Sequence, residues 1–112
     1  DQMASPAEAL WQDYAFLTHE LAKFTGRQSW DMVTNLLDQR ANLQQRLDAL
    51  ADRTFVESPA GRKLLGELLR EEQMIARQIR LARNQSQQRQ QVAQAYDAYS
   101  AVSAGMILNR GT

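Results

Sequence analysis

The run Leu64-Leu65-Gly66-Glu67-Leu68-Leu69-Arg70-Glu71-Glu72-Gln73-Met74-Ile75-Ala76-Arg77-Gln78-Ile79 decides the fold class. Leu64, Leu65, Leu68, Leu69, Ile75, Ile79 and then Ala82 recur at helical spacing, which stacks their side chains along one face of an α-helix. The run begins behind Ser58-Pro59, a hydroxyl N-cap followed by a proline whose missing N–H costs nothing at the first helical position. No proline follows Pro59, and no glycine lies between Gly66 and Gly105. The sequence therefore predicts a long helix from Pro59 well past Arg83, towards Tyr96. An unbroken rod of that length measures about 57 Å at 1.5 Å per residue.

Two shorter helices precede it. Ser5-Pro6-Ala7-Glu8 is a capping box, and the apolar rhythm Leu10, Tyr14, Leu17, Leu21, Phe24 follows. Gly26 is the residue expected to close this helix in the left-handed conformation, giving a helix from about Pro6 to Phe24. Gln28-Ser29 offers a second cap before Trp30. The next stripe is Val33, Leu36, Leu37, Leu43, Leu47 and Leu50, in a helix from about Trp30 to Asp52. These two rods cannot cover the whole of the third, so its uncovered part should be polar. Residues 83–91 indeed contain no apolar side chain. An apolar face then returns at Val92, Tyr96, Tyr99, Val102, Met106, Ile107 and Leu108. A sharp reversal near Asn84 to Gln91 makes this a fourth helix, and an unbroken rod makes it an exposed arm. The expected fold is all-α: an antiparallel three- to four-helix bundle with a long third helix and a weaker helix or ordered tail over about Tyr96 to Leu108. Residues 1–112 form a single helical domain.

Composition narrows the function. The 112 residues carry thirteen basic and thirteen acidic side chains, no cysteine and fourteen glutamines. Zero net charge argues against a generic basic nucleic-acid or membrane-surface binder. The lack of cysteine removes disulfides, thiolate metal sites and thiol nucleophiles, and fits a reducing compartment. The longest mostly apolar window, Tyr99 to Leu108, is about half of what a bilayer span requires. Asp1, Glu8 and Asp13 occupy the place where a signal peptide has its basic start and apolar middle, so the expected location is cytoplasmic.

No catalytic constellation emerges. His19 is the only histidine and has no second ligand at i+4, so it reads as a surface imidazole beside Glu20. Glu71 and Glu72 point about 100° apart on a helix and cannot jointly hold a metal or a proton. There is no phosphate loop and no nucleophile elbow. The expectation is a non-enzyme without cofactor or metal. Arg77, Arg80, Arg83 and Arg89 lie in an acid-free stretch, but their steps wrap around the helix and no stacking aromatic lies among them. They read as a solvated face rather than a nucleic-acid interface. Arg40 and Glu72 each interrupt an apolar stripe in phase, which predicts an ion pair across antiparallel helices that fixes register.

The order of these features resembles the flagellar export chaperones of the FliT type. The carrying residues are Trp30-Asp31 opening a helix, Leu36-Leu37, Arg40, Leu43 and Leu47. Leu68-Leu69 then leads into Glu71-Glu72 and Ile75, and a long Arg/Gln-rich helix follows. Ala95-Tyr96 and Met106-Ile107-Leu108-Asn109-Arg110 complete the likeness, which covers the chain from Leu10 onward. The chain carries Tyr96-Asp97 where relatives often have tyrosine followed by glycine.

This resemblance implies a small cytoplasmic helical protein that binds the C-terminal region of the flagellar cap protein and keeps it monomeric before export. It further implies contacts of some members with the export ATPase and, in enteric ones, with the master flagellar transcription activator. It also implies a C-terminal helix able to fold over the client surface. The expected contact residues are Leu64, Leu68, Ile75 and Ile79, receiving the i, i+3, i+4 and i+7 anchors of an amphipathic client helix. Tyr96, Tyr99, Val102 and Met106 are then the regulatory lid, an internal competitor for the same groove. Two alternatives remain: a regulator that meets a transcription activator through the Arg-rich arm, and a structural coiled-coil homodimer paired through the apolar tail.

Overall fold

The computed structural model describes the backbone of residues 5–85 and 89–110, with side chains over 5–85 and 90–100. It is an all-α bundle of α1 (Pro6–Gly26), α2 (Trp30–Leu50), the single turn α3 (Thr54–Glu57), α4 (Pro59–Gln85) and α5 (Arg89–Arg110). α1 packs on α2 and α4, and α5 closes the ring by packing on both α2 and α4.

The caps explain where the helices start. The Ser5 hydroxyl accepts the Glu8 N–H at 3.1 Å ahead of Pro6. The Ser58 hydroxyl accepts the Gly61 N–H at 3.0 Å and donates to the Phe55 carbonyl at 2.6 Å, so one side chain both caps α4 and ties it to α3. Ser29 stands at the N-cap of α2 but makes no side-chain cap bond. Its ψ of 77° departs from the extended value that Ser5 adopts, and it serves α2 through its carbonyl, which accepts the Val33 N–H at 3.0 Å.

Two helix ends differ from expectation. Gly26 stays helical, and Gln28 takes the left-handed conformation at φ 59°. The Ser29 N–H reaches the Phe24 carbonyl at 3.1 Å and the Gln28 N–H the Thr25 carbonyl at 3.0 Å. This is the paired closure of a Schellman motif, set two residues later than the glycine. α2 stops at Leu50 because Ala51 is left-handed, at φ 58°. The Asp52 carboxylate then accepts the Thr54 N–H at 2.9 Å and starts α3, a turn the periodicity did not announce.

Of the two readings left open beyond Arg83 the structure takes the reversal, and the larger correction is how soon the long helix ends. α4 spans 27 residues and ends at Gln85, about 40 Å at helical rise. A separate α5 begins at Arg89, well before the expected Tyr96, and runs back along α4, with Tyr99 beside Glu72 and Arg83 over Tyr96. The physical reason is burial. Val92 and Ala95 are fully enclosed and Tyr99 nearly so, whereas a continuing rod would leave all three in water.

The core divides into two clusters. The lower one gathers Leu10, Trp11, Tyr14, Ala15, Leu43, Leu47, Phe55, Val56 and Leu68 from α1 to α4. The upper one gathers Leu21, Trp30, Val33, Leu36, Leu37, Ile75, Ile79 and Ala82 with Val92, Ala95 and Tyr99 of α5. α3 sits so close to α4 that a Cβ at Gly61 would lie 1.8 Å from the Phe55 carbonyl oxygen. Only glycine fits there.

Candidate functional site

Between the two clusters lies a buried polar layer. Arg40 on α2 is 0% exposed and Glu72 on α4 is 2% exposed. The Arg40 Nη1 donates to Glu72 Oε2 at 2.8 Å and lies 3.1 Å from the Thr18 hydroxyl oxygen on α1. The ion pair expected from the two interrupted stripes is thus formed. Thr18 in turn donates to the Tyr14 carbonyl at 2.9 Å. The guanidinium carbon is 4.9 Å from the Tyr14 ring centroid and 5.7 Å from that of Tyr99, within cation–π range of both.

Tyr99 brings the fourth helix into this layer, a role the sequence reading did not give it. Its hydroxyl is 2.6 Å from Glu72 Oε1 and 2.8 Å from the Glu72 carbonyl oxygen. A hydrogen bond to a carboxylate outweighs one between neutral groups. Each oxygen of the Glu72 carboxylate therefore has a separate donor, one from α2 and one from α5. Glu72 is the hub through which α5 is fastened to the rest of the bundle.

The residues expected to contact a partner separate on this map. Leu68 is buried in the lower cluster, with Leu64 half-buried against it. Ile75 and Ile79 are fully buried in the upper cluster, beneath Val92, Ala95 and Tyr99. The four do not form one open groove. The reason is the correction above: α5 returns and covers the upper pair, while α1 and α3 flank the lower pair. Of the lid residues, Tyr99 is buried and Tyr96 half-buried, with the Arg83 guanidinium 4.5 Å above its ring. The side chains of Val102 and Met106 lie outside the described residues.

The remaining concave surface is modest. A cleft of about 420 Å³ lies where α1 and α4 end, lined by Thr25, Gly26, Gln28, Gln78, Leu81, Ala82 and Gln85. His19 on α1 pairs with Glu71 on α4 at 2.7 Å, its ring largely exposed. Among the described residues no group of three His, Cys, Asp or Glu could hold a metal ion, and no helix is long and apolar enough to cross a membrane. The described part of α5 is held by the apolar strip of Val92 and Ala95, by Tyr99 on Glu72 and by Tyr96 under Arg83. Comparison with family models, with characterised proteins and with solved structures finds no match for this chain.

Proposed function

We propose that the protein is a non-catalytic, cytoplasmic flagellar export chaperone that receives the C-terminal amphipathic helix of the filament-cap protein and keeps it monomeric until secretion. The observation that carries this reading is the cover of Ile75 and Ile79 by α5, fastened through Tyr99 to Glu72. When α5 lifts, Val33, Leu37, Ile75 and Ile79 become an apolar groove between α2 and α4, the shape that takes an amphipathic helix. α5 and client then compete for one surface. The export ATPase and a transcription activator are further partners under the same reading.

Affinity for the client depends on the open fraction, since the apparent Kd is the intrinsic Kd divided by that fraction. Removing the Tyr99 hydroxyl deletes a hydrogen bond to a carboxylate, a loss of about 1.5–3 kcal/mol in the closed state. Tyr99→Phe should therefore tighten binding of a C-terminal cap-protein fragment about tenfold or more while the open fraction stays small. A chain ending at Gln85 should bind at least as tightly. Calorimetric titration of the two variants against the full chain tests this. Equal affinity in all three defeats the proposal, and binding only to the transcription activator favours the regulator reading.

A further inference from the structure

The side of α4 turned away from the bundle carries its own pattern. Lys63, Glu67, Arg70, Met74, Arg77 and Leu81 follow one another at alternating steps of four and three, and all six are exposed. Met74 and Leu81 are 47% and 51% exposed, among the most open large apolar side chains described. They stand one heptad apart, about 10 Å along the axis. Arg70, Arg77 and the neighbouring Arg80 flank them. No acidic residue occurs from Gln73 to Tyr96, and among the described residues no carboxylate pairs with these three arginines.

We infer that this outer face of α4 is a docking surface for an acidic amphipathic helix of another protein. Two apolar anchors at i and i+7 match the seam that a helix lays along a helix, and the flanking cations select its charge. A second copy is disfavoured, because it brings a single carboxylate, Glu67, to the four cations Lys63, Arg70, Arg77 and Arg80. Nucleic acid is disfavoured too. Met74 interrupts the cations between Arg70 and Arg77 where phosphates would pass, and residues 63–84 contain no aromatic side chain for base stacking. Leu81 also forms the lip of the cleft at the end of α1 and α4. There the Thr25 hydroxyl and the Gln78 side-chain amide oxygen are buried without a hydrogen-bond partner.

The inference does not rest on the lid, since this face lies on the far side of α4 from Ile75 and Ile79. The test uses the full chain and two fluorescent helical peptides of about 20 residues, long enough to hold a helix once cross-linked. One has leucines at a and d positions with glutamates beside them, and its twin has lysines in place of the glutamates. The expected result is saturable binding of the glutamate peptide, at least about tenfold tighter than its twin and weakened by added salt. The double variant R77E/R80E should reverse the preference, and M74Q/L81Q should weaken both peptides while circular dichroism stays unchanged. A reversal of charge preference is a readout that misfolding cannot imitate. No binding of the glutamate peptide, equal binding of the twins, tighter binding of a DNA duplex, or self-association of the chain abolished by R77E/R80E each overturns the inference.

Discussion

Replacing the buried ion pair one residue at a time should be far more damaging than replacing it whole. Arg40→Met leaves the Glu72 carboxylate enclosed but still hydrogen-bonded by the Tyr99 hydroxyl at 2.6 Å, so its cost should fall near the low end for a broken buried pair, about 3 kcal/mol. Glu72→Leu is worse. It removes the carboxylate from a guanidinium that is 0% exposed. That variant should lose about 4–5 kcal/mol, a large share of the about 5–15 kcal/mol that holds a small domain together. In Arg40→Met/Glu72→Leu both charges leave together, and the Tyr99 hydroxyl keeps the backbone carbonyl of residue 72 at 2.8 Å. The double variant should lie within about 1–2 kcal/mol of the parent, or above it. Urea unfolding followed by helical circular dichroism gives all four corners of the cycle, with a coupling of at least about 4 kcal/mol expected. Costs that simply add, within about 0.5 kcal/mol, would show that the two side chains do not depend on each other and would refute the reasoning.

Three further outcomes follow from backbone geometry. Gly61→Ala drives a methyl into the Phe55 carbonyl and must lift α3, with buried Phe55 and Val56, off α4; thermal unfolding should show a loss of about 2–3 kcal/mol. Gly66→Ala, whose nearest neighbour is the Arg70 Nη1 at 3.9 Å, should instead gain about 1 kcal/mol in the same assay, as for alanine within a helix. Gln28→Gly and Ala51→Gly each relieve a left-handed residue at φ 59° and 58° and should raise stability by about 0.5–1 kcal/mol, read from urea midpoints. The Thr54 N–H holds the Asp52 carboxyl below the ordinary aspartate range. A depressed folded pKa means that its contribution is complete above the ordinary aspartate pKa and vanishes as pH falls through the lowered one. NMR titration of the Asp52 carboxyl should show the shift, and Thr54→Pro, which deletes the donor, should abolish it.

The parts of the fold legible in the sequence are those where a short local pattern has one physical meaning. Ser5-Pro6 and Ser58-Pro59 start helices because hydroxyl and ring each solve a problem of the first turn. Arg40 and Glu72 were readable as partners because each stands where its stripe requires an apolar residue, and the burial of both enforces pairing. The end of α4 was not legible. Nothing in residues 83–91 forbids a helix, and the choice to stop is made by Val92, Ala95 and Tyr99 finding a place over Ile75 and Ile79. Tyr99 itself looked like one more apolar position, since a helical repeat does not reveal that its hydroxyl meets a carboxylate 27 residues away. Gln28 and Ala51 in left-handed conformations run against residue preference, each standing in the short turn between successive helices. Of the candidate site, the identity of the apolar residues was legible and their cover was not.

Because charge and hydroxyl groups span the molecule between its two greasy compartments, the layer acts as a bulkhead. The described side chains of α5 that join the core, Val92, Ala95 and Tyr99, belong to the upper compartment. Amide exchange should therefore be faster around Ile75 and Ile79, which Val92, Ala95 and Tyr99 cover, than around Trp11 and Leu68.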